Sequence, residues 1–133
     1  MDVYNSKYLH IAFFAGQLLL EATWLSESKM MNTEECKQEF LNYRDVVLKR
    51  RPMRVIVDTS NMLFTLAPTI QDWINQNIFP SLLNVGVKRT AFVISKDFFA
   101  QLSTKQVLTE IESRKLTGHF DTKDAAKKWV LSL

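Results

Sequence analysis

Met53-Arg54-Val55-Ile56-Val57-Asp58 is a short apolar run rich in β-branched residues. A loop follows it, and then the amphipathic segment Thr69-Ile70-Gln71-Asp72-Trp73-Ile74. Gly86 closes that segment, and Arg89-Thr90-Ala91-Phe92-Val93-Ile94-Ser95 repeats the apolar pattern. Two such runs separated by one helix read as parallel strands joined by a crossover. The chain is therefore expected to be α/β. The same reading says where a site would lie, because open α/β sheets place ligands beyond the carboxyl ends of their strands. Here that place is Asp58-Thr59-Ser60-Asn61.

Upstream, Tyr8 to Ala15 and Gln17 to Leu25 are two β-like runs around Gly16, where a tight turn needing positive φ is expected. Leu18, Leu20, Ala22 and Trp24 form the expected core face of the second run. Leu19 and Leu25 on its other face, with Phe13 and Phe14 on the facing strand, require a cover: a helix or another subunit. A helix should begin at Asn32 or Thr33, with Asn32 and Glu35 at capping-box spacing. Cys36, Phe40, Tyr43, Val47 and Leu48 form its buried stripe, Lys49, Arg50 and Arg51 its last turn, and Pro52 its stop.

Downstream, Thr69 is the expected cap of the second helix, and Pro80 should break it near Ile78. Gly86 should take a left-handed conformation. Lys96 to Leu102 reads as a helical turn, Thr104 to Ser113 as a helix, and Leu116 to Phe120 as a polar edge strand. Asp121 should cap a last helix carrying Ala125, Ala126, Trp129 and Val130. No repeat or linker divides the chain, so residues 1–133 form one domain.

Composition narrows the function classes. The chain has 133 residues, 47% hydrophobic and 23% charged, enough for a core without disulfides or metal. A net charge of +3 is far from a nucleic-acid signature. The single cysteine, Cys36, allows no intrachain disulfide and suits a reducing compartment. No secretory signal pattern opens the chain and no apolar run spans a bilayer, so a cytoplasmic protein is expected. Three isolated glycines make no phosphate cradle. His10 and His119 are far apart and Cys36 stands alone, so neither cofactor nor metal is expected.

Four groups of residues could carry function, each against a plainer reading. Asp58, Ser60 and Asn61 could contact a ligand, or could fix their own loop by bonding backbone N–H groups. The basic cluster Lys49, Arg50, Arg51 and Arg54, with Arg44, could hold phosphate or lipid headgroups, or simply suit a helix end. Met62, Phe64 and their neighbours to Ala67 could line an apolar pocket with Met30 and Met31, or tuck beneath a helix. Trp24, Trp73 and Trp129 read as core.

The order of landmarks resembles a known family. Trp24 on a strand precedes Thr33-Glu34-Glu35 and Phe40, then Asp58 with Asn61-Met62. Asp72-Trp73-Ile74, Phe79-Pro80, Gly86-Val87-Lys88-Arg89-Thr90-Ala91, Phe120-Asp121 and Ala125-Ala126-Lys127-Lys128-Trp129-Val130 follow. Over Tyr8 to Leu131 this is similar to the SpoIIAA-like group of STAS-related proteins. The resemblance implies a mixed central sheet in the order β-β-α-β-α-β-α-β-α, with an N-terminal hairpin and flanking helices. Better-known relatives are anti-sigma-factor antagonists that bind a kinase and are switched at a serine of an Asp-Ser-Ser-Gly motif. This chain has Leu66-Ala67-Pro68-Thr69 there, so that serine is not carried over. Thr69 is the hydroxyl at the helix start, where a phosphate would be favoured. Related CRAL-TRIO folds hold lipids.

The expected function is a non-enzymatic STAS-like interaction or regulatory module, acting as a homodimer or on another protein. A carrier of a small apolar molecule or lipid is the alternative, and an enzyme using Asp58 with a histidine the weaker one. Neither nucleic-acid binding nor a transmembrane segment is expected.

Overall fold

The computed structural model describes residues 1–62, 64, 67–82, 85–94 and 117–132. Six strands form one mixed sheet: β1 (Asp2–Asn5), β2 (Leu9–Phe14), β3 (Leu19–Trp24), β4 (Arg54–Asp58), β5 (Arg89–Val93) and β6 (Thr117–Phe120). They lie side by side in chain order, β1 and β2 antiparallel, β2 and β3 antiparallel, and β3 to β6 all parallel. The helices are α1 (Thr33–Arg50), α2 (Pro68–Asn77), the single turn α3 (Phe79–Leu82) and α4 (Lys123–Leu131). The parallel pair expected from Met53–Asp58 and Arg89–Ser95 is present, with Val55 opposite Thr90 and Val57 opposite Phe92. Ser95 and the expected helices over 96–102 and 104–113, like Leu116, fall outside the described residues.

Strand alternation sends side chains to two faces. On one, Leu9, Ile11, Leu20, Ala22, Trp24, Val55 and Val57 pack with Cys36, Tyr43 and Val47 of α1 and Ile70 and Ile74 of α2. Strands laid down in one direction by right-handed crossovers put their helices on the same side, as here. On the other face Leu19, Ile56, Ala91 and Val93 pack with Ala126 and Val130 of α4. A helix of the same chain thus provides the cover that Leu19 required.

The N-terminal half departs from expectation at three points. A third strand, β1, precedes the hairpin and pairs with β2 from Asp2 to Asn5. Tertiary contacts hold this polar segment: the Tyr4 and Ser6 hydroxyls both donate to the Glu39 carboxylate, and Asn42 Nδ2 donates to it at 3.1 Å. Glu39 is buried on α1, and a buried carboxylate is tolerated only when its oxygens are bonded in this way. Burial first, and the Glu39 contact second, push the Tyr4 phenol above its ordinary pKa. Second, the hairpin does not turn on Gly16. Ala15–Gln17 is a 3₁₀ turn, and Leu18 takes the left-handed conformation (φ 47°, ψ 44°) and is exposed rather than in the core. Backbone bonds hold it there, because the Leu18 carbonyl accepts from Met53 and Arg54 N–H as the chain enters β4. Third, Leu48 is exposed and Phe40 only partly buried, so the α1 stripe is narrower than read.

Capping follows the sequence in part. Asn32 and Glu35 form the expected capping box. The bond from the Asn32 backbone, and then the one from the Tyr8 hydroxyl, lower the Glu35 carboxyl pKa. The second helix starts two residues earlier than expected: Ala67, not Thr69, is the cap residue, and Pro68 is the first helical residue. Proline suits that position because its missing N–H has no helical partner there. The helix breaks at Ile78, before Pro80, and Gly86 has φ +99°. Thr122, not Asp121, caps α4, its Oγ1 accepting from Ala125 N–H at 3.2 Å.

Candidate functional site

The carboxyl ends of the parallel strands bring together the residues first expected to act. Asp58 ends β4 and turns back on its own chain: Ser60 N–H and Oγ–H both donate to Asp58 Oδ1, at 3.0 and 2.6 Å. Thr59 is buried, and its N–H and hydroxyl both donate to the Val93 carbonyl at 2.8 Å. The turn closes with Met62 N–H on Thr59 O at 3.0 Å. These groups clamp β4 to β5 and shape the exit of the chain, which is the plainer of the two sequence readings. Asn61 is exposed on this turn, Met62 is buried in the core, and Phe64 packs against the core. Thr69 is exposed on the first turn of α2. Leu63, Thr65 and Leu66 lie outside the described residues.

No histidine is brought to Asp58. His119 pairs with Phe92 and stacks on it at 5.7 Å, on the sheet face opposite Asp58. His10 shares the Asp58 face but stands two strands away, opposite Thr23, which in turn faces Asp58. That is about 9–10 Å between backbones. His10 Nε2 instead lies 3.3 Å from Asp2 Oδ2. Cys36 is buried against α1's neighbours, and burial pushes its thiol up to about 12, far from a nucleophile's range. Among the described residues no group of histidine, cysteine, aspartate or glutamate has metal-binding geometry. No described helix is long and apolar enough to cross a membrane.

Met31 and Met62 are spent in the core, while Met30 is exposed. Of the tryptophans, Trp24 is buried beside Phe40, with ring centroids 5.1 Å apart. Trp73 and Trp129 are only half-buried, each with a cation over its ring. Exposure thus separates Trp24, a core ring, from two surface-facing ones.

The basic cluster splits. Arg54 is not available to an anion, because Nε donates to the Val130 carbonyl at 3.0 Å and Nη1 to the Gln17 carbonyl at 2.6 Å. Arg89, not singled out from sequence, does similar work: Nη1 donates to Trp129 O at 2.6 Å and Ser132 Oγ at 2.7 Å. Both arginines leave the starts of their strands and satisfy the last carbonyls of α4, where a cation also suits the helix dipole. Lys49 and Arg51 are exposed at the end of α1. Arg50 reaches toward the hairpin, its guanidinium 5.9 Å from the Phe13 ring centroid.

At that end of the molecule lies a shallow, open depression of about 460 Å³, formed by Met1, Phe13, Phe14, the Ala15–Gln17 turn and Arg50. Phe14 is 38% exposed and Leu18 37%, and Lys127 of α4 lies 5.9 Å from the Phe14 ring centroid. Phe14 and Leu18 are thus exposed apolar side chains on a hairpin whose Gln17 carbonyl accepts from Arg54. Sequence reading treated Phe13 and Phe14 as needing cover. It missed that Phe14 stays open and that Lys127 joins it.

No protein family, curated protein or solved structure matches the chain.

Proposed function

We propose that this chain is a non-enzymatic interaction module of STAS-like type, which binds a partner protein through its hairpin end. The observation that supports this most is the exposure of Phe14, which lines the depression, and of Leu18 after the same turn, on backbone held by Arg54 and by the β3–β4 entry bonds. Exposed apolar clusters with polar rims mark interaction surfaces. The strand-end turn supports the same reading, since Asp58 and Ser60 bond each other there. A mixed sheet with an N-terminal hairpin at one side and parallel strands beyond it agrees with the STAS resemblance. A reducing compartment suits the single buried thiol.

The test is affinity purification of the tagged protein from its own cells, beside the double variant F14S/L18S. A partner polypeptide held in fixed ratio by the parent and lost from the variant, with an unchanged circular-dichroism melt, is the expected result. The same partners on both proteins, or none on either, would refute the hairpin end as the binding surface.

A further inference from the structure

Among the described helices, α1, α2 and α3 contribute to one core and α4 alone to the other. The apolar hold of α4 is small. Ala126 and Val130 are its fully buried residues, set on Leu19, Ile56, Ala91 and Val93, while Trp129 and Leu131 are half-buried. Nine residues are too few to stay helical in water without that support. Charged groups fix both ends. At the last turn Arg54 and Arg89 donate to the carbonyls of Val130 and Trp129. At the first turn Lys123 Nζ lies 2.6 Å from Glu21 Oε1. The helix dipole disfavours a cation there, so the placement of Lys123 needs a reason, and Glu21 supplies it. Glu21 lies on β3 between Ala12 of β2 and Ile56 of β4. Its side chain is only 8% exposed, whereas that of Lys123 is 47% exposed. The pair is thus asymmetric: the amine already meets water and the carboxylate does not. Taking the charge from Lys123 leaves a buried carboxylate uncompensated, while taking it from Glu21 leaves a lysine that solvent can hold.

We propose that α4 is a lid latched by Lys123 on Glu21. Neutralising this one accessible amine lets the helix open from the sheet, which hydrates Glu21 and uncovers Leu19, Ile56, Ala91 and Val93. The rest of the fold stays closed, because the strands beneath keep their own support. On the opposite face Leu20, Ala22, Val55 and Val57 of β3 and β4 pack in the larger cluster with α1 and α2. Opening therefore breaks the smaller cluster and leaves the larger one intact, the pattern of a sub-global unfolding unit.

Hydrogen–deuterium exchange of the full chain, followed by mass spectrometry of peptides from α4 and from β3 and β4, tests this. In K123Q the amides of Ala126 to Val130 should exchange about tenfold or more faster than in the parent, while those of β3 and β4 keep the parent's rates. K123R keeps the charge and should behave as the parent. E21Q strands no charge and should speed α4 exchange by about threefold or less. The double variant E21Q/K123Q should recover most of what K123Q loses, the signature of a coupled pair. Equal acceleration of α4 and the strands in K123Q, or failure of K123Q to fold, would make the pair an ordinary support of the whole fold and overturn the lid. Unchanged α4 exchange in K123Q would overturn the latch. So would α4 exchange in E21Q/K123Q as fast as in K123Q.

Discussion

Replacing Arg89 by Met should destabilise the protein by about 2–3 kcal/mol, and the estimate can be assembled from its contacts. The guanidinium donates to the Trp129 carbonyl at 2.6 Å and to Ser132 Oγ at 2.7 Å, and lies 4.7 Å from the Trp129 ring centroid. A hydrogen bond from a charged donor contributes about 1.5–3 kcal/mol, and a half-buried setting argues for the lower end. A cation over an exposed indole adds about 0.5–1 kcal/mol. A positive charge at a helix C-terminus adds about 0.3–1 kcal/mol. Methionine keeps the apolar stem, so packing loss is small. Urea unfolding followed at 222 nm should show a lower midpoint with an unchanged slope, as expected when stability changes and exposed area does not. The melting temperature should fall by about 8–12 °C for a chain of this size. Arg89→Lys should lose about half as much, because it keeps the charge at the helix end but not the forked, stacked geometry. Arg51→Met, exposed at the end of α1, should lie within about 0.5 kcal/mol of the parent. An R89M variant as stable as R51M would refute the claim that strand-start arginines hold α4 on the sheet.

Other consequences are as direct. Gly118→Ala should cost about 1–3 kcal/mol by chemical denaturation, because an added Cβ would lie 2.9 Å from Phe120 Cε2 on a ring packed against Trp129. Cys36 should resist alkylation by iodoacetamide at neutral pH and react only on unfolding, since burial raises its thiol to about 12. Asn32→Ala should lose about 1 kcal/mol with the start of α1. Glu35, whose folded pKa is lowered, supports that start above its unfolded value of about 4.5 and loses the support as pH falls through the folded value. Acid titration of Glu35→Gln should therefore lack that component, and an unchanged acid limb would count against the capping box.

What the sequence made legible was contiguous. The strands β4 and β5 announce themselves because each is a single apolar run, and the crossover between them is one helix with its break marked by Pro80. The capping box is equally local, three residues from Asn32 to Glu35. The strand β1 is not legible, because it is only four residues long, two of them polar, and it is held by Glu39, 35 residues from Tyr4. Leu18 carries no positive-φ signal, and its conformation is imposed by its bonds to Met53 and Arg54. The candidate site shows the same division. Asp58 and Ser60 were visible as a strand-end pair, but their bonding to each other was not. The hairpin end sets Phe13 beside Arg50 on the α1 face and Phe14 beside Lys127 on the α4 face, contacts that only the packing of the two helices makes.

Either end of the sheet could meet a partner: the hairpin or the strand-end turn. A photoreactive phenylalanine analogue placed at Leu18, on the hairpin, or at Ser60, on the strand-end turn, compares the two in living cells. Both positions are exposed, so neither replacement threatens the fold. A discrete partner adduct from position 18 and none from position 60 is the predicted result. An adduct from position 60 alone would contradict it and return function to the carboxyl ends of the strands.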